Sequence, residues 1–141
     1  MGIVLLVLAG CSDDDEPAVT EEAYLEQLQD ICSETTAALD ALPEPPEQIT
    51  IADFADEAAR ALTVEAERIR QLEPPAELDD DQRALVANTD DQAAAWTALG
   101  ETPGDDAAAL EAASTRIAEL TLGRNDLAAE IGATACVRAP T

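Results

Sequence analysis

The three cysteines are the side chains of this 141-residue chain with the most chemistry available to them. Cys11 follows an apolar run, whereas Cys32 and Cys136 lie near opposite ends of the remaining chain. A thiol can be acylated, paired in a disulfide or used as a metal ligand. A zinc site is not favoured, because the sequence contains no histidine and two cysteines leave a tetrahedral ligand set incomplete. We therefore expect neither a metal nor a cofactor.

The remaining residues form no recognisable catalytic motif. No histidine or lysine is present to activate a serine or threonine, and no Gly-x-Ser-x-Gly or phosphate-binding loop occurs. With 31 acidic residues, two neighbouring carboxylates are expected by chance and do not indicate acid–base catalysis. The acidic runs 13–16 and 79–81 lack the turn glycine of calcium-binding loops. The sequence predicts a protein that is not an enzyme.

The charge and composition narrow the class of protein further. The formal net charge is −24 and all seven basic residues are arginines, so no basic surface is available to bind nucleic acid. Apolar residues make up 47% of the chain and aromatic residues 2%. Abundant alanine, leucine and glutamate favour helices over strands. The length predicts one domain.

The amino-terminal residues have the pattern of a targeting segment. An apolar run at 3–9 precedes Gly10 and Cys11, and it is too short to cross a bilayer as a helix. The sequence Leu8-Ala9-Gly10-Cys11 resembles the lipobox of bacterial lipoproteins. The resemblance implies that Cys11 is diacylglycerated, that cleavage occurs before it, and that the protein is held on the extracytoplasmic face of the cell membrane.

The residues around the apolar run qualify this interpretation. No lysine or arginine precedes the run, which predicts that the natural start lies further upstream. A buried first element with a core cysteine is the alternative, but four consecutive acidic residues followed by Pro17 favour a solvated tether. The predicted organisation is a signal peptide at 1–10, a tether at 11–19, a helical bundle at 20–137 and a tail at 138–141.

Helix caps, apolar periodicity and proline breaks predict four helices. Thr20 and Thr50 have the sequence context of N-caps, with acidic residues in the first turn that follows. Short connections between long helices predict an all-α, up-down-up-down four-helix bundle. The predicted bounds are 20 to Pro43, 50 to Pro74, 79 to Gly100, and from Thr102 or Asp105 to Gly132.

Cys32 and Cys136 are predicted to form a disulfide. An exported protein folds in an oxidising compartment, and an even pair of cysteines remains once Cys11 is lipidated. Closing a loop of about 105 residues stabilises the fold by roughly 4–5 kcal/mol in the chain-entropy model. Because Cys32 lies well inside the first helix, the tail must turn back at Gly132 and pack against that helix. Two free thiols are the alternative.

Three further residues are candidates for a binding site. Arg124 interrupts the apolar stripe of the fourth helix, so it extends to solvent, pairs with Glu65, or binds an anion. Trp96 belongs to the helix with the thinnest apolar stripe. It is interpreted as core, or as the edge of an apolar groove for a partner peptide or lipid.

Several segments together resemble a loosely defined group of actinobacterial small α-helical lipoproteins. They are the lipobox, Ile31-Cys32 and two longer stretches, Leu72-Glu-Pro-Pro-Ala-Glu-Leu78 and Arg124-Asn-Asp-Leu-Ala128 leading to Ile131-Gly-Ala-Thr-Ala-Cys136. The resemblance implies the fold and the cysteine pair but supplies no activity. We therefore expect a monomeric, membrane-anchored envelope module without catalytic activity. A ligand- or partner-binding lipoprotein using a groove near Trp96, and a cell-envelope enzyme, stay open as alternatives.

Overall fold

The computed structural model describes residues 19–139, which form an all-α bundle. The predicted signal peptide, Cys11 and the acidic tether up to residue 18 lie outside these residues, as do Pro140 and Thr141. Among the described helices, none combines the length and apolarity that crossing a bilayer requires. The helices are α1 (Glu21–Asp40), α2 (Ile51–Arg70), α3 (Asp79–Glu101) and α4 (Ala107–Ile131), with short 3₁₀ turns at Ala76–Leu78 and Thr134–Cys136.

Side-chain caps begin three of the helices. The Thr20 hydroxyl accepts a hydrogen bond from the backbone N–H of Ala23 (3.2 Å), and the Thr50 hydroxyl accepts one from the N–H of Asp53 (3.0 Å). Both predicted N-caps are therefore confirmed. The cap of α4 is Asp106, later than either predicted start, and Thr102 instead follows the end of α3.

Two glycines have different roles from one another. Gly132 ends α4 in a left-handed conformation (φ 84°), and the N–H of Ala133 then bonds to the carbonyl of Ala128 at 2.9 Å, as a glycine terminator predicts. Gly100, however, lies inside α3. A Cβ atom there would be 3.2 Å from the Cβ of Ala55, so this glycine permits α2 and α3 to approach closely rather than ending the helix. The predicted helix end at Gly100 was wrong, because α3 continues through Gly100 to Glu101.

Helices that follow one another in the chain pack side by side, as predicted, and the carboxyl-terminal turn packs between the first and the last helix. Helix α2 packs along α3, α3 along α4, and α1 along α2. Between α1 and α4 there is little direct contact, because the Thr134–Cys136 turn lies between them and contacts both. The prediction that the tail turns back onto the first helix is confirmed. The core at this end of the bundle contains residues from all four helices and the tail: Tyr24, Leu28, Ile31, Cys32, Ile69, Leu85, Val86, Ala128, Ile131, Ala133 and Cys136.

Candidate functional site

Cys32 and Cys136 form a disulfide in the interior of the bundle. Their Cα atoms are 4.9 Å apart and neither residue is exposed to solvent. The bond joins the middle of α1 to the turn that follows α4, across 104 positions of sequence. The predicted pairing is confirmed, and the alternative of two free thiols does not hold for this structure.

Arg124 lies beside the disulfide and is fully buried. Its Nε donates to the carbonyl oxygen of Cys136 (3.1 Å) and its Nη1 donates to the hydroxyl of Thr89 (2.6 Å). Its Nη2 donates to the Oε1 of Glu65 (2.8 Å) and to the Sγ of Cys32 (3.4 Å). Of the interpretations left open above, the ion pair with Glu65 is present, and extension of the side chain to solvent is excluded by its burial.

Glu65 is shared by two arginines. Both of its carboxylate oxygens accept from the Nη2 of Arg138 at 2.8 Å, while Oε1 also accepts from Arg124. The side chain of Arg138 is 9% exposed and that of Glu65 is 0% exposed. Two cations thus surround one buried anion in the described part of the chain.

Asn125 holds the segment that carries Arg138. Its side-chain oxygen accepts from the backbone N–H of Arg138 (2.8 Å), and its amide nitrogen donates to the carbonyl of the same residue (2.7 Å). Sequence reasoning missed both residues. It assigned Arg138 to a terminal tail. The one signal in the sequence was Asn125 itself, because an asparagine side chain can both donate to and accept from the backbone of another segment.

Helix α3 presents polar side chains to this network. The hydroxyl of Thr89 donates to the carbonyl of Leu85 (2.9 Å) and accepts from Arg124, and Thr89 is fully buried. One turn away, Gln92 donates to Asn88, whose own amide donates to the carbonyl of Leu120 on α4 (3.2 Å). The thin apolar stripe of α3 therefore reflects a helix that faces a buried charge.

The electrostatics of the network depend on the partners of Arg124. Burial lowers the pKa of the Arg124 guanidinium to about 10, and the charge of Arg138 acts in the same direction. The carboxylate of Glu65 opposes this effect by its charge and its hydrogen bond. The guanidinium therefore stays cationic at neutral pH, and Glu65 is the residue that makes its burial possible.

Trp96 lies apart from the network. It packs edge to face with Phe54, with ring centroids 5.6 Å apart, and both rings are half-buried. A separate groove of about 360 Å³ lies at the loop end of the bundle, and none of Phe54, Trp96 and Arg124 lines it. Its apolar lining includes Ile51, Leu99, Gly100 and Leu110. The structure does not bring the sequence-predicted candidates Trp96 and Arg124 into one site.

The acidic residues do not assemble a metal site within residues 19–139, where no group of three or more candidate ligands is suitably placed. The run at 79–81 begins α3, and Asp79 and Asp80 both pair with Arg83 one turn later. Acidic residues at a helix N-terminus are stabilised by the helix dipole. This run therefore has a sufficient structural role.

Comparison of the chain with protein-family models, with curated proteins and with solved structures gives no match. The buried network and its disulfide are thus interpreted from their own chemistry. Every polar contact of Arg124 and Glu65 is made to another side chain or to the backbone of the bundle. Such an arrangement joins α1, α2, α3, α4 and the tail at one point.

Proposed function

We propose that this chain is a lipid-anchored lipoprotein of the extracytoplasmic membrane face, whose helical bundle is an envelope module without catalytic activity. The observation that supports it is the disulfide between Cys32 and Cys136. Disulfides persist in oxidising compartments outside the cytosol. Their pairing accounts for two of the three cysteines and leaves Cys11, which belongs to the lipobox-like sequence.

The position of the described bundle relative to this sequence is compatible with an anchor. The chain enters the bundle at Thr20, immediately before α1, so residues 11–19 would join the lipid to one end of the module. The module is strongly acidic and gains nothing from an anionic membrane surface. In this proposal the acyl chains hold the protein at the membrane, each buried CH₂ contributing about 0.8 kcal/mol.

The buried network supports a structural rather than a catalytic role for its residues. Glu65 is the fully buried carboxylate of the bundle, and guanidinium groups bind both of its oxygens. A general acid or base must exchange a proton with a substrate within hydrogen-bond reach. Glu65 is enclosed by its partners, so we assign it to the stability of the fold.

The first prediction tests the anchor with a Cys11→Ala variant expressed with its full leader in a bacterial host. The wild-type chain should fractionate with membranes and incorporate labelled palmitate. The variant should lose the label and leave the membrane fraction, because the only thiol available for acylation is gone.

Cys136→Ser is the matched control for this experiment. It removes a cysteine of the bundle and disrupts the disulfide, but it leaves the lipobox-like sequence intact, so the protein should stay labelled and membrane-bound. A wild-type chain without label, or a Cys11→Ala chain that stays in the membrane fraction, would exclude lipidation at this position.

A further inference from the structure

The two sulfur atoms of the disulfide have opposite electrostatic surroundings. The Sγ of Cys32 accepts a hydrogen bond from the Arg124 guanidinium, with Nη2 at 3.4 Å. The Sγ of Cys136 instead lies 3.9 Å from the carbonyl oxygen of Leu28, which carries partial negative charge. A neighbouring arginine stabilises a thiolate, whereas a carbonyl oxygen disfavours one and accepts a hydrogen bond from a thiol.

The charge balance of the network strengthens this asymmetry. Arg124 and Arg138 carry two positive charges, and Glu65 supplies one negative charge between them. All three side chains are buried or nearly so, so the interactions are weakly screened by water. A thiolate at Cys32 would neutralise the remaining positive charge.

We propose that the Cys32–Cys136 disulfide is a redox-responsive link between α1 and the carboxyl-terminal segment, with Cys136 as the attacked sulfur and Cys32 as the leaving thiolate. Thiol–disulfide exchange is faster, and reduction is more favourable, when the leaving thiolate is stabilised. The inference concerns the bundle itself and does not depend on the proposed anchor.

The exchange can be written as two balanced steps with a monothiol such as glutathione. A glutathione thiolate attacks the Sγ of Cys136, the disulfide breaks, and its electron pair passes to the Sγ of Cys32 as a thiolate beside Arg124. A second glutathione thiolate then attacks the glutathione sulfur of the mixed disulfide. Oxidised glutathione leaves, and the Cys136 thiolate takes a proton to become a thiol facing the carbonyl of Leu28.

The residues that flank Cys136 in the sequence are partly exposed to solvent. Cys136 is buried, but Ala135 before it is only half-buried, and Thr134 and Val137 are exposed, the latter by 47%. A surface cleft along α1 reaches this region, and it is lined by Ser33, which follows Cys32, and by Ala135, which precedes Cys136. Displacement of the Thr134–Cys136 turn would therefore expose the sulfur that we expect to be attacked.

The first experiment measures the disulfide–dithiol equilibrium in glutathione redox buffers, using the full chain with Cys11→Ala so that only two thiols report. Arg138→Met removes the excess positive charge but retains the pair between Arg124 and Glu65. Because the Cys32 thiolate is then less stabilised, the equilibrium constant for disulfide formation should rise by about tenfold. Arg60→Met, which removes an exposed arginine paired with Glu57, is the matched control and should leave the constant unchanged.

A lower equilibrium constant for disulfide formation in Arg138→Met would indicate that Arg138 has a structural role only. If Arg138 only fastens the tail, its loss separates the two cysteines, and the equilibrium constant for disulfide formation should fall. A fall, or no difference from the Arg60→Met control, overturns the proposal. Circular dichroism of the reduced chain must retain the helical signal, since a reduced state that unfolds would equally exclude a reversible link.

The second experiment identifies the attacked sulfur directly. The chain is treated briefly with glutathione, free thiols are alkylated, and the peptides are mapped by mass spectrometry. Glutathione should be found on Cys136 and the alkyl group on Cys32. Glutathione found on Cys32, with Cys136 alkylated, would contradict the assignment of the leaving thiolate.

Discussion

At the scale of single residues, one buried carboxylate determines what the interior can contain. Arg124 is fully buried, and such a cation is tolerated only when an anion and further hydrogen-bond acceptors surround it. Glu65 provides the anion, while Thr89 and the carbonyl of Cys136 accept the remaining hydrogen bonds. Arg138 depends on the same carboxylate. The loss of Glu65 would therefore leave two guanidinium groups without their shared counter-ion.

We expect Glu65→Gln to lower the free energy of unfolding by about 3–5 kcal/mol, the range observed when one partner of a buried ion pair is removed. Urea denaturation followed by circular dichroism measures this value. Glu57→Gln is the control, because the pair between Glu57 and Arg60 is exposed to solvent and should contribute little to the stability. Similar losses in the two variants would show that the buried network does not stabilise the fold as described.

Tyr24 gives a second prediction at this scale, because it is the sole tyrosine and is fully buried. Burial raises the pKa of its hydroxyl from 10.0 to about 12, and the nearby charge of Asp81 acts in the same direction. The unfolded chain ionises first, so this contribution to stability is complete below pH 10.0 and is lost as the pH rises towards about 12.

Absorbance at the phenolate band should show a midpoint near 12 for the folded chain and near 10.0 in denaturant. The Tyr24→Phe variant should lose this signal and should also lose the corresponding part of the alkaline destabilisation. It removes no hydrogen bond, since the Tyr24 hydroxyl has no partner among the described residues. A folded-state midpoint equal to that of the unfolded chain would contradict the effect of burial.

At the scale of the elements, the amino-terminal caps and the carboxyl-terminal turn have different origins. Thr50 caps α2 through contacts within four residues of chain, so its role follows from local sequence. The Thr134–Cys136 turn is placed by distant partners on α1 and α4. Removing a cap should therefore cost only the stability that its own hydrogen bond contributes. The position of the turn, in contrast, depends on the packing of the whole bundle.

Thr50→Ala should lower the free energy of unfolding by about 1 kcal/mol, because the N–H of Asp53 loses its side-chain acceptor. Chemical denaturation is again the measurement. Thr115→Ala, at an exposed position inside α4, is the control and should be neutral or slightly stabilising, since alanine has the higher helix propensity. Equal effects at the two positions would argue against a specific cap at Thr50.

At the scale of the whole molecule, the disulfide and the ion pairs stabilise a fold that the large negative net charge destabilises. Each of the seven arginines forms at least one ion pair with a carboxylate, and five of these arginines pair at the surface, where single pairs contribute little. Within residues 19–139 most of the acidic residues have no such partner, and their mutual repulsion disfavours the compact state. The disulfide across 104 positions counteracts this repulsion by restricting the unfolded chain.

Replacing both cysteines, with Cys32→Ser and Cys136→Ser together, should lower the stability by roughly 4–5 kcal/mol and reduce the Tm markedly. Thermal denaturation under non-reducing conditions measures the change, and the wild-type chain treated with a reductant serves as the reference. A Tm unchanged from that of the oxidised chain would show that the link does not restrict the unfolded state. Raised salt should reduce the difference in Tm between the variant and the oxidised wild-type chain only slightly, because the entropy of loop closure is not an ionic effect.

The sequence by itself determined those features that depend on neighbouring residues. The helix caps at Thr20 and Thr50, the terminator at Gly132 and the all-α class follow from local hydrogen bonding and periodicity. The cysteine pairing was also predictable, because assigning Cys11 to the predicted lipobox leaves Cys32 and Cys136 as the remaining pair, and a protein predicted to be exported is expected to form disulfides. These inferences needed no knowledge of which helix faces which.

Only the tertiary structure decided what lies at the centre of the bundle. Arg124 could be recognised as unusual within its stripe, but nothing local distinguished extension to solvent from burial. Arg138 belongs to a short segment after the last helix, and its approach to Glu65 depends on the turn at Gly132, the clamp from Asn125 and the disulfide acting together. Contacts between residues distant in sequence depend on the geometry of packed helices, and the energy of a buried charge is set by whichever groups that packing brings beside it.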